Sequence, residues 1–217
     1  SVLILAACSG ETSEAAQPQA EPAETSAVEL PQTFDGPAIG DPVPEPESNS
    51  LAKQAQRDAE LEARGITEIG WEELMPEGEE ERIAEMYQAQ MARLYSGGGI
   101  AEGSAADQAI QIGTFNVVED LDGLVVRMPG YILPLDFAEN SSAREFLLLP
   151  YHGACVHTPP PPPNQIVYLR SPELIQFNSL WEPVWVEGRM ELERVDTDLA
   201  ATAYSMVVRS VEPYQTR

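Results

Sequence analysis

The sequence has few basic residues and almost no histidine or cysteine. Lysine and arginine together number 12 against 36 aspartate and glutamate residues, which gives the 217-residue chain a formal net charge of −24. A nucleic-acid-binding protein needs a clustered basic surface, so this composition argues against a nucleic-acid partner and disfavours anionic membrane headgroups. The natural counterparts of such a chain are cations, either metal ions or basic surfaces of other proteins.

The apolar stretch at the start of the sequence is too short for a transmembrane helix, which needs about 20 apolar residues. It ends in Leu5-Ala6-Ala7-Cys8, which matches the processing box of bacterial lipoproteins. We therefore expect a longer precursor whose signal peptide is removed before Cys8, with a lipid on that cysteine. Because Ser9 rather than aspartate follows, the outer membrane is slightly favoured over the inner membrane. The alternative is a short apolar N-terminus with a chance cysteine.

Composition divides the chain into four segments. Residues 9–50 contain seven prolines and almost no aromatic side chains. This composition predicts a disordered acidic tether, because the segment cannot bury enough apolar surface to offset its ordering entropy. The full division is a lipoprotein signal remnant with its processing box (1–8), the Pro-rich tether (9–50), a helical extension (51–110) and a barrel domain (111–217).

Two helices are predicted in the extension. Residues 51–64 are good helix formers and are followed by Gly65, a typical C-terminal stop. Residues 78–95 form the second helix. Its apolar side chains recur at helical spacing on one face, which predicts that this face packs on the main domain. These side chains are Ile83, Tyr87, Met91 and Leu94.

From residue 112 onward the pattern is that of short β-strands, predicted over 124–135, 145–151, 165–170, 184–192 and 203–214. Pro129-Gly130 predicts a bulge or a sharp bend in the first strand. Ser171-Pro172-Glu173 is typical of a helix start, which places a helix between the third and fourth strands. This order predicts a mainly β fold, a small five-stranded barrel like the oligonucleotide/oligosaccharide-binding (OB) fold. A β-sandwich fragment is the alternative.

Both histidines and the second cysteine lie within six positions, 152–157. Thiolate and imidazole are ligands that zinc and copper prefer. In an extended segment Cys155 and His157 point to the same side, and His152 can join them if the chain turns at Gly153. We therefore predict a zinc site made by Cys155, His157 and His152. Its open position would take water, a carboxylate such as Asp136, or a partner's side chain.

Two other interpretations of Cys155 stay open. A buried cysteine is often a small hydrophobe with only a packing role. A thiol-dependent enzyme is the other possibility, but the sequence places no acid or amide to orient the histidine. The run Pro159–Pro163 that follows predicts a rigid polyproline spacer about 15 Å long, at about 3.1 Å per residue.

Four segments resemble the domain-of-unknown-function 3299 (DUF3299) family, at residues 69–76, 123–136, 145–165 and 183–188. Members of this bacterial family are largely exported or lipid-anchored and have no established activity. They tend to be encoded beside an ABC transporter of the lipoprotein-release or macrolide-export type, in zinc-responsive systems. The resemblance therefore implies that Cys155 and His157 are metal ligands. Position 152 is more often aromatic in the family, which makes His152 the doubtful member of the set.

The sequence as a whole predicts a lipid-anchored envelope protein on the periplasmic side, a zinc-binding accessory component of an ABC-type transport system. The alternative is a metal-free scaffold or protein-interaction module, which contacts transporter or envelope proteins through the barrel loops. A thiol-dependent enzyme that uses Cys155 is the third hypothesis.

Overall fold

The structure is a computed structural model that describes residues 38–44, 51–96, 110–136, 141–156, 159–177 and 179–214. All of these residues belong to one unit, which spans Gly36–Arg217. Cys8, most of the predicted tether and His157 lie outside the described residues. No helix in the described part of the chain is long and apolar enough to cross a membrane.

Five strands form a closed barrel in the order β2 (Val125–Pro134), β3 (Ser142–Leu149), β4 (Val167–Gln176), β8 (Tyr204–Pro213) and β5 (Val184–Glu191), and β5 pairs again with β2. Strands β4 and β8 are parallel, whereas the other pairs of the barrel are antiparallel. The predicted mainly β fold with an OB-like barrel and two preceding helices is therefore confirmed. The other helices and strands are α1 (Leu51–Ala63), β1 (Thr67–Glu68) and α2 (Glu79–Ser96), which precede the barrel, and β6 (Val195–Asp196) and β7 (Ala201–Thr202), which lie between β5 and β8.

Strand β2 changes partners at Pro129-Gly130 without a bulge. It pairs with β5 up to Gly130 and with β3 from Tyr131 onward, and neither register shifts within β2. The bulge allowed by the sequence is therefore absent. Gly130 instead allows the side chain of Leu148 to lie close to the β2 backbone, because a Cβ at position 130 would be 2.6 Å from Cδ1 of Leu148. The Pro129 carbonyl accepts a hydrogen bond from the indole N–H of Trp71 (2.9 Å).

The helix predicted from Ser171-Pro172-Glu173 does not form, because β4 continues as a strand through these residues. The pairing of β3 with β4 shifts register around Arg144, and this single residue faces positions 171–174. Pro172 is tolerated in a bulge because its missing N–H has no ladder partner to lose. The Pro172 carbonyl accepts a hydrogen bond from the Arg144 guanidinium.

An ion pair ties the first helix to the barrel. Gly65 follows α1 with a φ of +67°, which a glycine adopts without steric penalty. The preceding Arg64 then places its guanidinium on the carboxylate of Glu187 in β5, with N–O distances of 2.5 and 3.3 Å. Glu187 also accepts from Ser210 and Arg127, so this buried carboxylate has several donors.

Among the described side chains of helix α2, the buried ones lie near its start. We call residues 79–83 its base and residues 84–96 its outer part. Ile83 in the base is 8% exposed, whereas Tyr87 and Met91 are 38% and 46% exposed and Tyr95 is 85% exposed. The prediction that this apolar face packs on the main domain holds at Ile83 and is wrong at Tyr87 and Met91. The side chain of Leu94, the fourth predicted member, lies outside the described part of the structure.

Candidate functional site

The loop after β3 is held by a part of the predicted tether. Residues 38–44 run beside the loop and form an antiparallel bridge through Pro42 and Tyr151. The backbone N–H of His152 donates to the Asp41 carbonyl (2.9 Å), and the His152 carbonyl accepts from the N–H of Gly40 (2.7 Å). This part of the predicted tether is thus folded onto the domain.

Cys155 is mostly enclosed by apolar side chains. It packs with Tyr151 and Tyr168 against a cluster that includes Leu147 and Ile166. Burial raises the pKa of its thiol to about 12, so the thiol is protonated at neutral pH. Its φ of 63° lies in the left-handed region, which non-glycine residues seldom adopt. A protonated thiol is a weak nucleophile, so this environment gives no support to thiol catalysis.

His152 lies between two aromatic rings. Its ring centroid is 5.5 Å from that of Tyr131 and 5.1 Å from that of Trp181. The residue is 4% exposed, and its Nδ1 atom has no hydrogen-bond partner among the described residues. His152 also lines a cavity of about 190 Å³, and Cys155 is not among the lining residues.

The described residues contain no group of three or more His, Cys, Asp and Glu side chains that could hold a metal. Asp136, the carboxylate considered as a further ligand, accepts hydrogen bonds from the N–H groups of Arg144 (3.2 Å) and Glu145 (2.9 Å). His157 lies outside the described residues, so the site predicted from Cys155, His157 and His152 stays a prediction.

The proline run forms a packed wall of the domain. Gln111 donates from its side-chain amide to the Pro161 carbonyl (2.8 Å), and the Pro163 carbonyl accepts from the N–H of Ala203 (2.8 Å). Gly113 lies so close that a Cβ there would be 2.6 Å from Pro162. These contacts join the proline run to residues 111–113 and to Ala203, the residue before β8.

A buried carboxylate fixes the base of α2. Glu79 is fully buried and accepts hydrogen bonds from Asn116 (2.9 Å), Asn164 (3.5 Å), Thr114 and Arg82. Burial by itself raises the pKa of Glu79, but the hydrogen bonds from Asn116, Thr114 and Arg82 hold it below its ordinary value. The carboxylate therefore stays charged at neutral pH and joins α2 to two distant segments of the chain, residues 114–116 and Asn164.

The outer part of α2 presents apolar side chains to solvent. Tyr87, Met91 and Tyr95 recur four residues apart, which places them along one face of the helix. Apart from half-buried Gln90, every described side chain from residue 84 to 95 is exposed. The side chains of Tyr87, Met91 and Tyr95 are therefore each in part open to solvent.

Sequence reasoning missed two residues of these sites. Glu79 reads as an ordinary solvent-exposed residue of an acidic first helical turn, and nothing local indicates its burial. Trp181 lies in the connection between β4 and β5. A tryptophan outside any predicted strand was the signal that could have indicated a site there. The clustering of His152 with Cys155 did single out the right loop, although the two side chains have different surroundings.

The comparisons identify a family. The family model described as "Protein of unknown function (DUF3299)" matches residues 71–213. A crystal structure at 2.45 Å resolution of a DUF3299 family protein from Pseudomonas aeruginosa PAO1 is similar, with 34% sequence identity and a TM-score of 0.53. The similarity covers 70% of this chain and 98% of that chain. No curated protein matches the sequence. The chain therefore belongs to the DUF3299 family.

Proposed function

We propose that this protein is an interaction module of the bacterial cell envelope, which is anchored by a lipid on Cys8 and binds a protein partner through α2. The observation that carries the proposal is the exposed face of the outer part, with Tyr87, Met91 and Tyr95. Tyrosine and methionine are enriched at protein interfaces. A helix that lays such a face into a groove is a recurring mode of recognition.

The negative charge of α2 indicates which kind of partner surface it can bind. The outer part of α2 and its base carry Glu80, Glu81 and Glu85, within a chain of net charge −24. A partner with an apolar groove and a basic rim complements this helix, whereas a second copy of the chain would bring like charges together. A component of an ABC-type transport system, which the family resemblance implies, is the partner class that we propose.

Native electrophoresis of mildly solubilised envelopes tests this function. The double variant Tyr87→Glu/Met91→Glu places charges on the apolar face, and Ala89→Glu/Ala92→Glu places the same two charges on other exposed sides of the helix. We expect the wild type and the Ala89/Ala92 variant to migrate in an assembly with a second protein, and the Tyr87/Met91 variant to migrate alone. An assembly that survives in both variants, or that contains only this chain, contradicts the proposal.

Zinc binding at Cys155 and His157 is the second candidate function, as an accessory role in transport. The left-handed backbone at Cys155 favours it, because strained non-glycine residues cluster at functional sites. The thiol has a pKa of about 12 through burial, so ligation by a divalent ion is the change that would make it a thiolate at neutral pH. His152, whose ring lies between two aromatic rings, is not needed in this set.

Zinc titration by calorimetry tests this second candidate. Wild type should bind more tightly than Cys155→Ser and His157→Ala, and His152→Phe should bind as the wild type does. Binding should weaken between about pH 7.5 and about pH 5.5, because protonation of histidine near pH 6.5 competes with the metal. If the wild type binds zinc no better than the two ligand variants, Cys155 has only a packing role.

A further inference from the structure

A cavity of about 480 Å³ lies beside α1. Its wall is built from α1, the segment 66–73, strands β2 and β5, and the residue after β8. This volume lies within the range of about 300–1,000 Å³ that is typical of small-molecule sites. The apolar and aromatic part of the wall consists of side chains that are almost fully buried in the domain: Leu61, Ile66, Ile69, Trp185 and Tyr214.

The charged side chains among the described lining residues are all acidic: Asp58, Glu68 and Glu73. Glu68 is already paired, since the Arg57 guanidinium donates a hydrogen bond to its Oε1 atom (3.1 Å). Asp58 and Glu73 are exposed, and neither forms an ion pair within the described part of the chain. The Glu73 carboxylate accepts a hydrogen bond from the backbone N–H of Gly70 (2.9 Å). Two accessible carboxylates at this cavity therefore have no cation of the protein beside them.

The arrangement of these carboxylates favours an extended cation over a metal ion. A metal ion needs several ligands around one point, and the described residues contain no group of three or more His, Cys, Asp and Glu side chains that could hold one. Asp58 and Glu73 are instead carried by different segments, α1 and the turn before α2. A hydrocarbon chain with ammonium groups along it can pair with separate carboxylates and place its methylene groups on an apolar wall.

We propose that this cavity binds a linear aliphatic polyamine, whose ammonium groups pair with Asp58 and Glu73 and whose hydrocarbon chain lies on the apolar wall. Aromatic rings attract cations through their electron-rich faces. The Trp185 ring already does so within the protein, because the guanidinium of Arg127 lies 4.6 Å from its centroid. The ring of Tyr214 is 5.0 Å from that of Trp185, so two aromatic side chains meet at this wall.

The charges around Glu68 also favour a cationic ligand. Burial raises the pKa of Glu68 above its ordinary value and the carboxylate of Asp58 raises it further, whereas Arg57 and Arg127 lower it. Asp58 and Glu68 are therefore close enough to repel each other at this cavity. An ammonium group bound here would favour the ionised form of both carboxylates, whereas an anionic ligand would add to their repulsion.

Titration of the full chain with four probes, followed by two-dimensional NMR, tests this inference. Butane-1,4-diamine should bind roughly twofold to fivefold more tightly than butylamine, because it can form a second ion pair with an exposed carboxylate. Butane-1,4-diol, which has no charge, should not bind. Mg²⁺ carries the same charge as the diamine and measures general attraction to this acidic chain. The diamine should shift the indole N–H signal of Trp185, and Mg²⁺ should leave it in place.

The double variant Asp58→Asn/Glu73→Gln removes both charges and keeps a side-chain oxygen for the Gly70 N–H. It should bind the diamine roughly threefold to tenfold more weakly and lose the preference over butylamine. The control Glu119→Gln/Asp120→Asn makes the same change of charge at two exposed residues outside the cavity wall and should bind as the wild type does.

Three results would overturn the inference: equal shifts of the Trp185 signal by Mg²⁺ and the diamine, an equal loss of binding in both double variants, or unchanged binding in Asp58→Asn/Glu73→Gln. No residue of α2 lines this cavity, so these outcomes are independent of the proposed partner-binding face.

Discussion

The base and the outer part of α2 belong to one helix but have opposite surroundings. In the base, Glu79 is fully buried with four hydrogen-bond donors, and Ile83 is buried. In the outer part, Tyr87 and Met91 are exposed. The comparison separates two regions: the base attaches the helix to the barrel, and the outer part is the surface on which we propose that a partner binds.

Loss of the Glu79 carboxylate is the largest expected effect. Glu79→Ala leaves the buried amide of Asn164 and the half-buried hydroxyl of Thr114 without this acceptor, so the free energy of unfolding should fall by about 2–4 kcal/mol. Urea denaturation followed by circular dichroism measures this change. Glu80→Ala removes an exposed neighbouring carboxylate and should change stability by less than about 0.5 kcal/mol. Equal effects of the two substitutions would show that Glu79 does not anchor the helix.

Ile83 should give the next effect. Its truncation to alanine removes buried apolar surface in the base and should destabilise the protein by about 2 kcal/mol, at the lower end of the range for core positions. Met91→Ala, in the outer part, is the matched control and should be close to neutral in the same denaturation experiment. A loss at Met91 as large as that at Ile83 would show that the outer part is packed after all.

The pH dependence of stability sharpens the account of the base. The hydrogen bonds of Glu79 hold its pKa below the ordinary value of 4.5 despite burial. Its contribution is therefore fully present above the unfolded-state pKa near 4.5 and is lost as pH falls through the lower folded-state value. Glu79→Gln should remove this part of the acid destabilisation, as measured by denaturation between about pH 6 and about pH 3. An identical pH profile for the variant would contradict the assignment.

The smallest expected effect on the stability of the protein comes from truncation of side chains in the outer part. Tyr87→Ala/Met91→Ala should leave the thermal midpoint within about 2 °C of the wild type, because exposed substitutions change stability by less than about 0.5 kcal/mol. Differential scanning calorimetry measures the midpoint. A marked decrease would place these side chains in the folded core of the isolated protein and not at an interface.

Much of the barrel follows from local sequence patterns. The five strands lie close to the positions predicted for them, because each is a short apolar run bounded by turn residues, and Gly65 ends α1 as expected. Ser171-Pro172-Glu173 gave a wrong prediction, because the helix was inferred from these three neighbouring residues alone. Its helix-start signature is real, but the register shift around Arg144 absorbs these residues into a strand. Pairing with a distant strand decided the outcome.

The sites depend on contacts between residues distant in the sequence. Glu79 is buried only because Thr114, Asn116 and Asn164 surround it, and these positions are 35 to 85 residues away. Helical periodicity found the apolar face at Ile83, Tyr87 and Met91 but gave no information on what covers it. The cavity beside His152 likewise needs Trp181 from another connection, whereas the sequence grouped His152 with its neighbour Cys155.

Site-specific photocrosslinking in intact cells tests the central claim, a partner-binding face on α2, most directly. A photoreactive phenylalanine derivative replaces Tyr87, Met91 or Ala89 in turn, in the full chain. The account predicts a crosslinked product with one second protein from positions 87 and 91 and none from position 89, and loss of the position-87 product when Met91→Glu is added. Equal products from all three positions, or a product made only of two copies of this chain, would contradict it.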